Sequence, residues 1–411
     1  MKYSVVTFGC RVNQADSLVI EGELRAQGGV AVTPDEADLV VVNTCSVTAT
    51  ADQGARQTIR RVARTNPSVR MIVTGCYATR APHDLTLLPN VVRVVPNARK
   101  DSVLQFIADT GVMSTAERFN GGEGPCGSGL EPGVAGRTAL TLRVQTGCDE
   151  HCSYCIIPTT RGPGRSKPLE DVIDDVRRAV AAGYKEIALT GVHLGSYGRD
   201  LPRRASLDEL LSRLAAWPDE VLFRVSSLEP MDCTADVVSI VASSPRIAPH
   251  FHLPLQHGAD SMLRAMRRPY TAKYYSALID RIAGLMPYAS IGSDLIVGFP
   301  GETDEQFEES VAFLRTLPLS HLHVFPYSDR PGTEASAIHP KVDGVVIRER
   351  GRRVREVGAE MARHFRSALA GSIRRALVVD DGWSAVTDNY VKVRLERQTD
   401  RNTWIDVPLP Y

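Results

Sequence analysis

Cysteine is scarce in this chain, eight in 411 residues, which excludes a disulfide-built scaffold. Neither sign of charge is in excess: 48 basic and 48 acidic side chains leave a formal net charge of zero, so any surface for a polyanion must be a local patch. Long apolar runs are missing too. The hydrophobic stretches are short and interrupted, so no membrane-spanning helix is expected. The opening "MKYSVVTFGC" enters a strand-like run at once, with no basic segment and apolar targeting stretch ahead of it. No long internal repeat is present. What is there suffices for two or three packed domains, since 43% of the residues are hydrophobic. The few cysteines are clustered, which favours metal binding in a reducing cytoplasm.

Residues 1–113 read as α/β. The runs "YSVVTF", "LVVVNT", "RMIVTG" and "VVRVVP" alternate with helical stretches, a pattern that predicts a parallel sheet. Residues 114–137 are rich in Gly, Ser and Pro and read as a linker. From 138 to 370 the alternation resumes. Six strands are expected, in "ALTLRVQT", "KEIALT", "VLFRVSS", "HFHLPL", "IGSDLIV" and "HLHVFP", which predicts an incomplete barrel of six βα units with its site at the C-terminal strand ends. In "PLEDVIDDVRRAV", Leu169, Val172, Ile173, Val176 and Val180 share one helical face, and Gly183 follows as a stop. Thr303 and Gln306 form a capping-box pattern. Residues 341–375 are helical and basic, with ten Arg or Lys against four acids. Residues 371–411 read as a small β-domain, a short version of a five-stranded oligonucleotide-binding barrel.

In "GCDEHCSYC", Cys148, Cys152 and Cys155 fall within eight residues. Thiolates are soft ligands that select zinc or iron–sulfur clusters. Most four-iron clusters take four cysteines, yet no fourth lies nearby: Cys126 sits in the linker and Cys233 far along, and both read as incidental. The fourth position is therefore open to a non-protein ligand, a mark of chemistry rather than structure. The competing reading is a structural zinc site completed by His151 or His193.

Cys10, Cys45 and Cys76 look unrelated until the strands are drawn. Each follows an apolar run, "VVTFGC", "VVVNTC" or "MIVTGC", and so stands just past the C-terminal end of an expected buried strand. Parallel neighbours put those ends on one sheet edge, where open α/β sheets bind ligands. Three buried, inert cysteines are the competing reading. The functional one is a second cluster, again with three protein ligands.

The C-x₃-C-x₂-C loop at the end of a first barrel strand resembles the radical S-adenosylmethionine (SAM) enzymes. With the segments "TFGCRVNQADS", "VVNTCSVT", "VTGCYA", "GCDEHCSYCIIPTTRG", "EIALTGVHLGSYG", "HLPLQHGADSMLRAMRR", "DLIVGFPGET" and "HVFPYSDRPGT", nearly the whole chain resembles the methylthiotransferases. "GCRVNQADS" and "TGVHLGSYG" look most like the subfamily acting on N6-threonylcarbamoyladenosine beside the tRNA anticodon; His257 stands where that subfamily usually has Ser.

The resemblance implies a cluster-binding N-terminal domain, a radical SAM barrel and a C-terminal TRAM-like β-domain. It also implies two 4Fe–4S clusters, with SAM as both methyl donor and source of a 5′-deoxyadenosyl radical. A carbon–hydrogen bond on an adenine ring cannot be usefully deprotonated by a side chain near neutral pH, so no acid–base residue is expected. The cofactors carry the chemistry. Tyr154, Thr190, Gly191, Val192 and His193 are expected near SAM, Glu229 at its ribose, and Asp294 and Gly298 at its adenine. Arg264, Arg267, Arg268, Arg352, Arg353 and Arg363 form candidate patches for tRNA phosphates, with Arg56, Arg60, Arg61 and Arg64 as another. Tyr390 is expected to stack on unpaired bases. A flavodoxin or ferredoxin is the expected electron donor, with no membrane partner. The rivals are the same chemistry on isopentenyladenosine or a ribosomal protein, and a non-catalytic iron–sulfur or zinc RNA-binding protein.

Overall fold

The computed structural model describes residues 1–109 and 138–409; the expected linker and Cys126 lie outside them. By packing, the described chain divides into two units. The first holds the N-terminal third together with Gly147–Glu150 and Cys155–Pro163; the second holds the rest, including His151–Tyr154.

The first unit is a five-stranded sheet of β1 (Lys2–Thr7), β2 (Val30–Ala31), β3 (Leu39–Thr44), β4 (Arg70–Gly75) and β5 (Val91–Pro96), in the order β2-β1-β3-β4-β5. Every pairing is parallel. The sequence "LVVVNT" of β3 is buried at all six positions, as a central parallel strand covered on both faces requires. Its alternate residues feed two cores. Val40 and Val42 pack with Ile59 and Val62 of α2 (Ala49–Thr65), while Leu39 and Val41 pack with Ile20 and Leu24 of α1 (Arg11–Ala26). Thr48 caps α2 by accepting from the Ala51 N–H at 3.2 Å, a contact of about 1 kcal/mol. Three short helices follow in its N-terminal segment: α3 (Cys76–Arg80), α4 (Pro82–Thr86) and α5 (Val103–Asp109). In a 2-1-3-4-5 sheet the strand order reverses between β1 and β3, and ligands bind outside the strand ends at that point.

The second unit holds six parallel strands: β6 (Leu140–Arg143), β9 (Glu186–Thr190), β10 (Leu222–Val225), β11 (His250–His252), β12 (Ser290–Val297) and β13 (His321–Pro326). They form two triplets, β6-β9-β10 and β11-β12-β13. A parallel bridge from Phe223 to Ile247 and the Leu228 N–H to His252 carbonyl bond, 2.9 Å, join the triplets. The expected first strand "ALTLRVQT" is split. At Val144 the chain leaves β9, and β7 (Gln145–Thr146) turns to pair antiparallel with β8 (Arg165–Ser166). The short helix α6 (Ile157–Arg161) lies in the intervening loop and belongs to the first unit.

Helices α7 (Leu169–Ala181), α8 (Leu207–Ala215), α9 (Ala235–Ser243), α10 (Asp260–Ala265), α11 (Ala272–Leu285) and α12 (Asp304–Leu314) follow the strands. In α7, Val172, Ile173, Val176 and Ala179 are fully buried, whereas Val180 is half-exposed. The capping box of Thr303 and Gln306 is present on α12. The basic helix α13 (Gly344–Leu369) leads to the C-terminal sheet of β14 (Ile373–Val379), β15 (Ser384–Thr387), β16 (Lys392–Arg394) and β17 (Trp404–Pro408). That sheet is antiparallel in the order β16-β15-β14-β17, four strands among the described residues where a short five-stranded barrel was expected. It packs against the N-terminal ends of the barrel strands: Arg224 donates to the Asp388 carbonyl at 3.1 Å and Asn389 to the Tyr288 carbonyl at 2.8 Å.

Candidate active site

Strand register brings the N-terminal cysteines together. Thr44 pairs with Gly75, so Cys45 and Cys76 are the next residues on adjacent strands, and β1 pairs with β3 on the other side. Cys10 precedes α1 and is exposed, whereas Cys45 and Cys76 are 5% and 2% exposed. Two glycines make the approach possible. A Cβ on Gly9 would lie 2.5 Å from Cys45 Cβ and 2.6 Å from its Sγ, and one on Gly75 would overlap the Thr44 carbonyl; both have positive φ. Asn13 donates to the Phe8 and Thr44 carbonyls at 2.8 and 2.9 Å, tying the Cys10 loop to the Cys45 loop. Burial pushes the Cys45 thiol up to about 11, against the Val47 N–H, with Cys10 and Cys76 close enough to raise it further.

A buried charge network adjoins these sulfurs. Lys100 Nζ lies 2.8 Å from Asp16 Oδ2 and 3.1 Å from Asn43 Oδ1. Arg161, on α6, meets the same Asp16 oxygen at 3.2 Å, donates to Asn13 and reaches Cys76. Asn97 donates to the Thr160 carbonyl at 2.9 Å and to Cys76 Sγ at 3.5 Å. None of Asn13, Asp16, Asn97, Lys100 or Arg161 was singled out from the sequence. Asn13 and Asp16, three and six residues beyond Cys10 on one helix, were the available signal.

In the second triad, Cys148 Sγ accepts from the Glu150 N–H at 3.4 Å. Cys152 accepts from Arg268 Nη1 at 3.1 Å. Arg268 is 7% exposed and also bound by Glu229 and by Tyr270 at 3.0 Å. Burial opposes its charge, but Tyr154, Tyr270 and Cys152 outweigh that and hold the guanidinium protonated. Arg268 is therefore no part of an open RNA patch, and Glu229, expected at a ribose, is engaged by it.

The barrel's strand ends bring the other expected residues close. Thr190 is buried and its carbonyl accepts from the Val144 N–H at 2.9 Å. Gly191 stands against Gln145, whose Oε1 takes the His193 N–H at 2.9 Å. The His193 ring is held by Asp232 at 2.7 Å, and Asp232 also binds Arg199 at 2.7 Å. Tyr154 packs against the apolar cluster that contains Met262, Met266 and Phe299. Asp294 Oδ1 meets His252 Nε2 at 2.9 Å and His323 Nδ1 at 3.2 Å; burial opposes its charge, but these two bonds prevail and set its carboxyl at about 2. The N–H of Gly298 binds Glu302, and Ile347 of α13 sits where a Cβ would project. Glu302 is held in turn by Arg350 at 2.8 Å and by His257 at 3.0 Å. His257, 1% exposed, thus anchors this loop rather than facing a substrate.

The expected RNA residues divide. Arg267 pairs with Glu334, Arg352 with Glu349 and Glu356, and Arg353 with Glu308. Arg264 and Arg363 have no ion pair among the described residues, nor do the exposed Arg60, Arg61 and Arg64 of α2; Arg56 donates to Tyr77. The Tyr390 ring, 41% exposed, packs 4.6 Å from His250 and under the Arg224 guanidinium rather than standing free. Cys233 is buried, and burial pushes its thiol up to about 12, so it is inert.

A six-stranded parallel barrel with a three-cysteine loop behind its first strand is the architecture of the radical SAM enzymes, and that superfamily's model matches residues 142–314. A second model, described as uncharacterized protein family UPF0004, matches residues 2–96. The threonylcarbamoyladenosine tRNA methylthiotransferase MtaB of Aquifex aeolicus is 35% identical, covering 96% of this chain and 97% of that protein. MtaB of Bacillus subtilis is 35% identical over 94% of this chain and 88% of its own length. The tRNA-2-methylthio-N(6)-dimethylallyladenosine synthase of Carboxydothermus hydrogenoformans is 34% identical over 86% and 82%. Among solved structures, the radical SAM methyltransferase TsrM from Kitasatospora setae, with cobalamin and a 4Fe–4S cluster bound, superposes with TM-score 0.57 at 16% identity, covering 82% of this chain and 77% of that one. This chain belongs to the radical SAM methylthiotransferase family and is a transferase that uses a 4Fe–4S cluster and SAM. No helix among the described residues is long and apolar enough to cross a membrane.

Proposed function

We propose that the enzyme adds a methylthio group to C2 of N6-threonylcarbamoyladenosine in tRNA, beside the anticodon, in the cytoplasm, with two 4Fe–4S clusters. The observation that carries the two-cluster reading is the meeting of Cys10, Cys45 and Cys76 at one sheet edge. The donor set fits: three sulfurs, those of Cys45 and Cys76 buried, drawn close by Gly9 and Gly75, which admit no side chain. Among the described residues, the one group with three donors within 4.8 Å of one another is His252, Asp294 and His323. The cysteine sulfurs are not such a group, and soft thiolates are the ligands that iron–sulfur clusters take.

In this reading Cys148, Cys152 and Cys155 hold the SAM-cleaving cluster, and Cys10, Cys45 and Cys76 hold the one that presents sulfur. When bound, the clusters supply the electron that opens SAM and a site for the transferred sulfur. The protein's own part is placement. Arg268 fixes Cys152 and Glu229 together. Gln145 orders the backbone from Gly191 to His193, where SAM's polar end would lie near Thr190, Val192 and Tyr154. Asp294 keeps a negative charge between two imidazoles at any working pH. Phosphate contacts fall to the unpaired arginines of α2, with Arg264 and Arg363. A flavodoxin or ferredoxin supplies reducing equivalents.

The substrate rests on the relatives named for threonylcarbamoyladenosine. Nucleoside mass spectrometry of tRNA from a deletion strain tests it. Loss of the methylthio form of threonylcarbamoyladenosine, restored by the gene, is expected. An unchanged profile for that nucleoside, or loss at dimethylallyladenosine instead, would refute the substrate.

A further inference from the structure

Around the N-terminal cysteines, buried charged side chains share partners. Arg161, 5% exposed, and Lys100, also 5% exposed, share the single carboxylate of Asp16. Nearby, Arg80 binds Asp52 at 2.7 Å and Asp52 lies near Cys45. Burial lowers the Lys100 pKa; burial opposes the Arg161 guanidinium too, but Cys76, Asp16 and Cys10 hold it charged, so Arg161 is the firm cation beside these sulfurs. An oxidised four-iron core bound by three thiolates would carry one net negative charge and would lie beside that guanidinium.

Arg161 is the member best placed to act. It reaches Cys76 directly, and it does so from α6, which starts two residues after Cys155 of the other triad. Asn97 reinforces that placement, since one amide holds both the Thr160 carbonyl and Cys76 Sγ. Hydrogen bonds to sulfur and nearby charge are the protein's main controls over the potential of an iron–sulfur cluster.

We infer that Arg161 is a positioning residue for the N-terminal cluster: its charge, set against Asp16 and delivered to Cys76, makes the site accept an anionic cluster and raises that cluster's reduction potential. This rests on the two-cluster reading above. The consequence is directional. Removing the cation must make the cluster harder to reduce, and removing the Asp16 anion must make it easier.

The test uses the full chain with Cys148, Cys152 and Cys155 all changed to Ala, reconstituted anaerobically with iron and sulfide, so that only the N-terminal cluster is read. Redox titration followed by electron paramagnetic resonance gives its midpoint. Arg161→Gln is expected to lower the midpoint by at least a tenfold change in the reduction equilibrium, about 59 mV for one electron. Arg161→Lys is expected to keep most of the wild-type value, and Asp16→Asn to shift it upward. If Arg161→Gln loads no iron while Arg161→Lys does, the charge requirement is supported in a stronger form. Midpoints that stay in place, or that move in the same direction for Arg161→Gln and Asp16→Asn, would overturn the inference while leaving the cluster assignment intact. A parent protein that binds no iron at all would overturn the cluster assignment and this inference with it.

Discussion

Arg268 donates to Cys152 Sγ at 3.1 Å while the same guanidinium grips Glu229. A charged hydrogen bond to a buried group contributes about 1.5–3 kcal/mol. Arg268→Met should therefore slow SAM cleavage, read as 5′-deoxyadenosine without substrate, by roughly ten- to hundredfold. Retention of tRNA on a filter should not change. Normal cleavage with weakened tRNA binding would instead return Arg268 to an RNA surface.

The arginines of the two basic helices should behave differently. Arg60, Arg61 and Arg64 of α2 are exposed and line one concavity with Gln57 and Pro89. Changing all three to Glu should weaken tRNA binding and flatten its salt dependence by about one unit of slope per lost phosphate contact. Arg352 and Arg353 of α13 already spend their charge on Glu349, Glu356 and Glu308, so Ala there should change the slope little.

Most of the scaffold is legible in the sequence because the strands are apolar and punctuated. The three runs ahead of Cys10, Cys45 and Cys76 end on one edge of a parallel sheet, as their pattern implies. Tertiary charge partners are not legible in that way. Arg161 meets Asp16 across 145 positions, and no local pattern encodes the pair. Arg268 reads as one of a basic trio in "RAMRR", yet Arg264 is exposed and Arg268 buried, a difference set by Cys152 and Glu229. Tyr390 reads as a stacking residue because the sequence does not show that the C-terminal sheet lies against His250 and Arg224.

Acid should destabilise the protein in a defined window. Burial, with His252 and His323 adding to it, lowers His321 from 6.5 to about 4. Below pH 6.5 the unfolded chain takes up a proton that the folded chain refuses until about pH 4, so stability falls as pH drops across that range and is level above it. The full cost is on the order of 3 kcal/mol. Asp294 adds a further loss of the same sign at lower pH, between 3.8 and about 2. Urea midpoints of the metal-free protein should fall from pH 7 to pH 4.5, and less steeply in His321→Gln. Parallel curves for the two proteins would show that His321 is not responsible.

Gly9 sits where any Cβ would strike Cys45, at a positive φ. Gly9→Ala should lower the iron bound by the chain, because the Cys10 loop must move away from Cys45, while the cluster of the other triad and its SAM cleavage persist. Wild-type iron content in this variant would show that the close approach is not needed for binding.

The division of labour between the two triads is tested most directly by Cys45→Ala in the full-length, anaerobically reconstituted enzyme, given SAM, reductant and threonylcarbamoyladenosine-bearing tRNA. Formation of 5′-deoxyadenosine should continue and the methylthio nucleoside should be absent. Methylthiolation at the wild-type level would contradict the account.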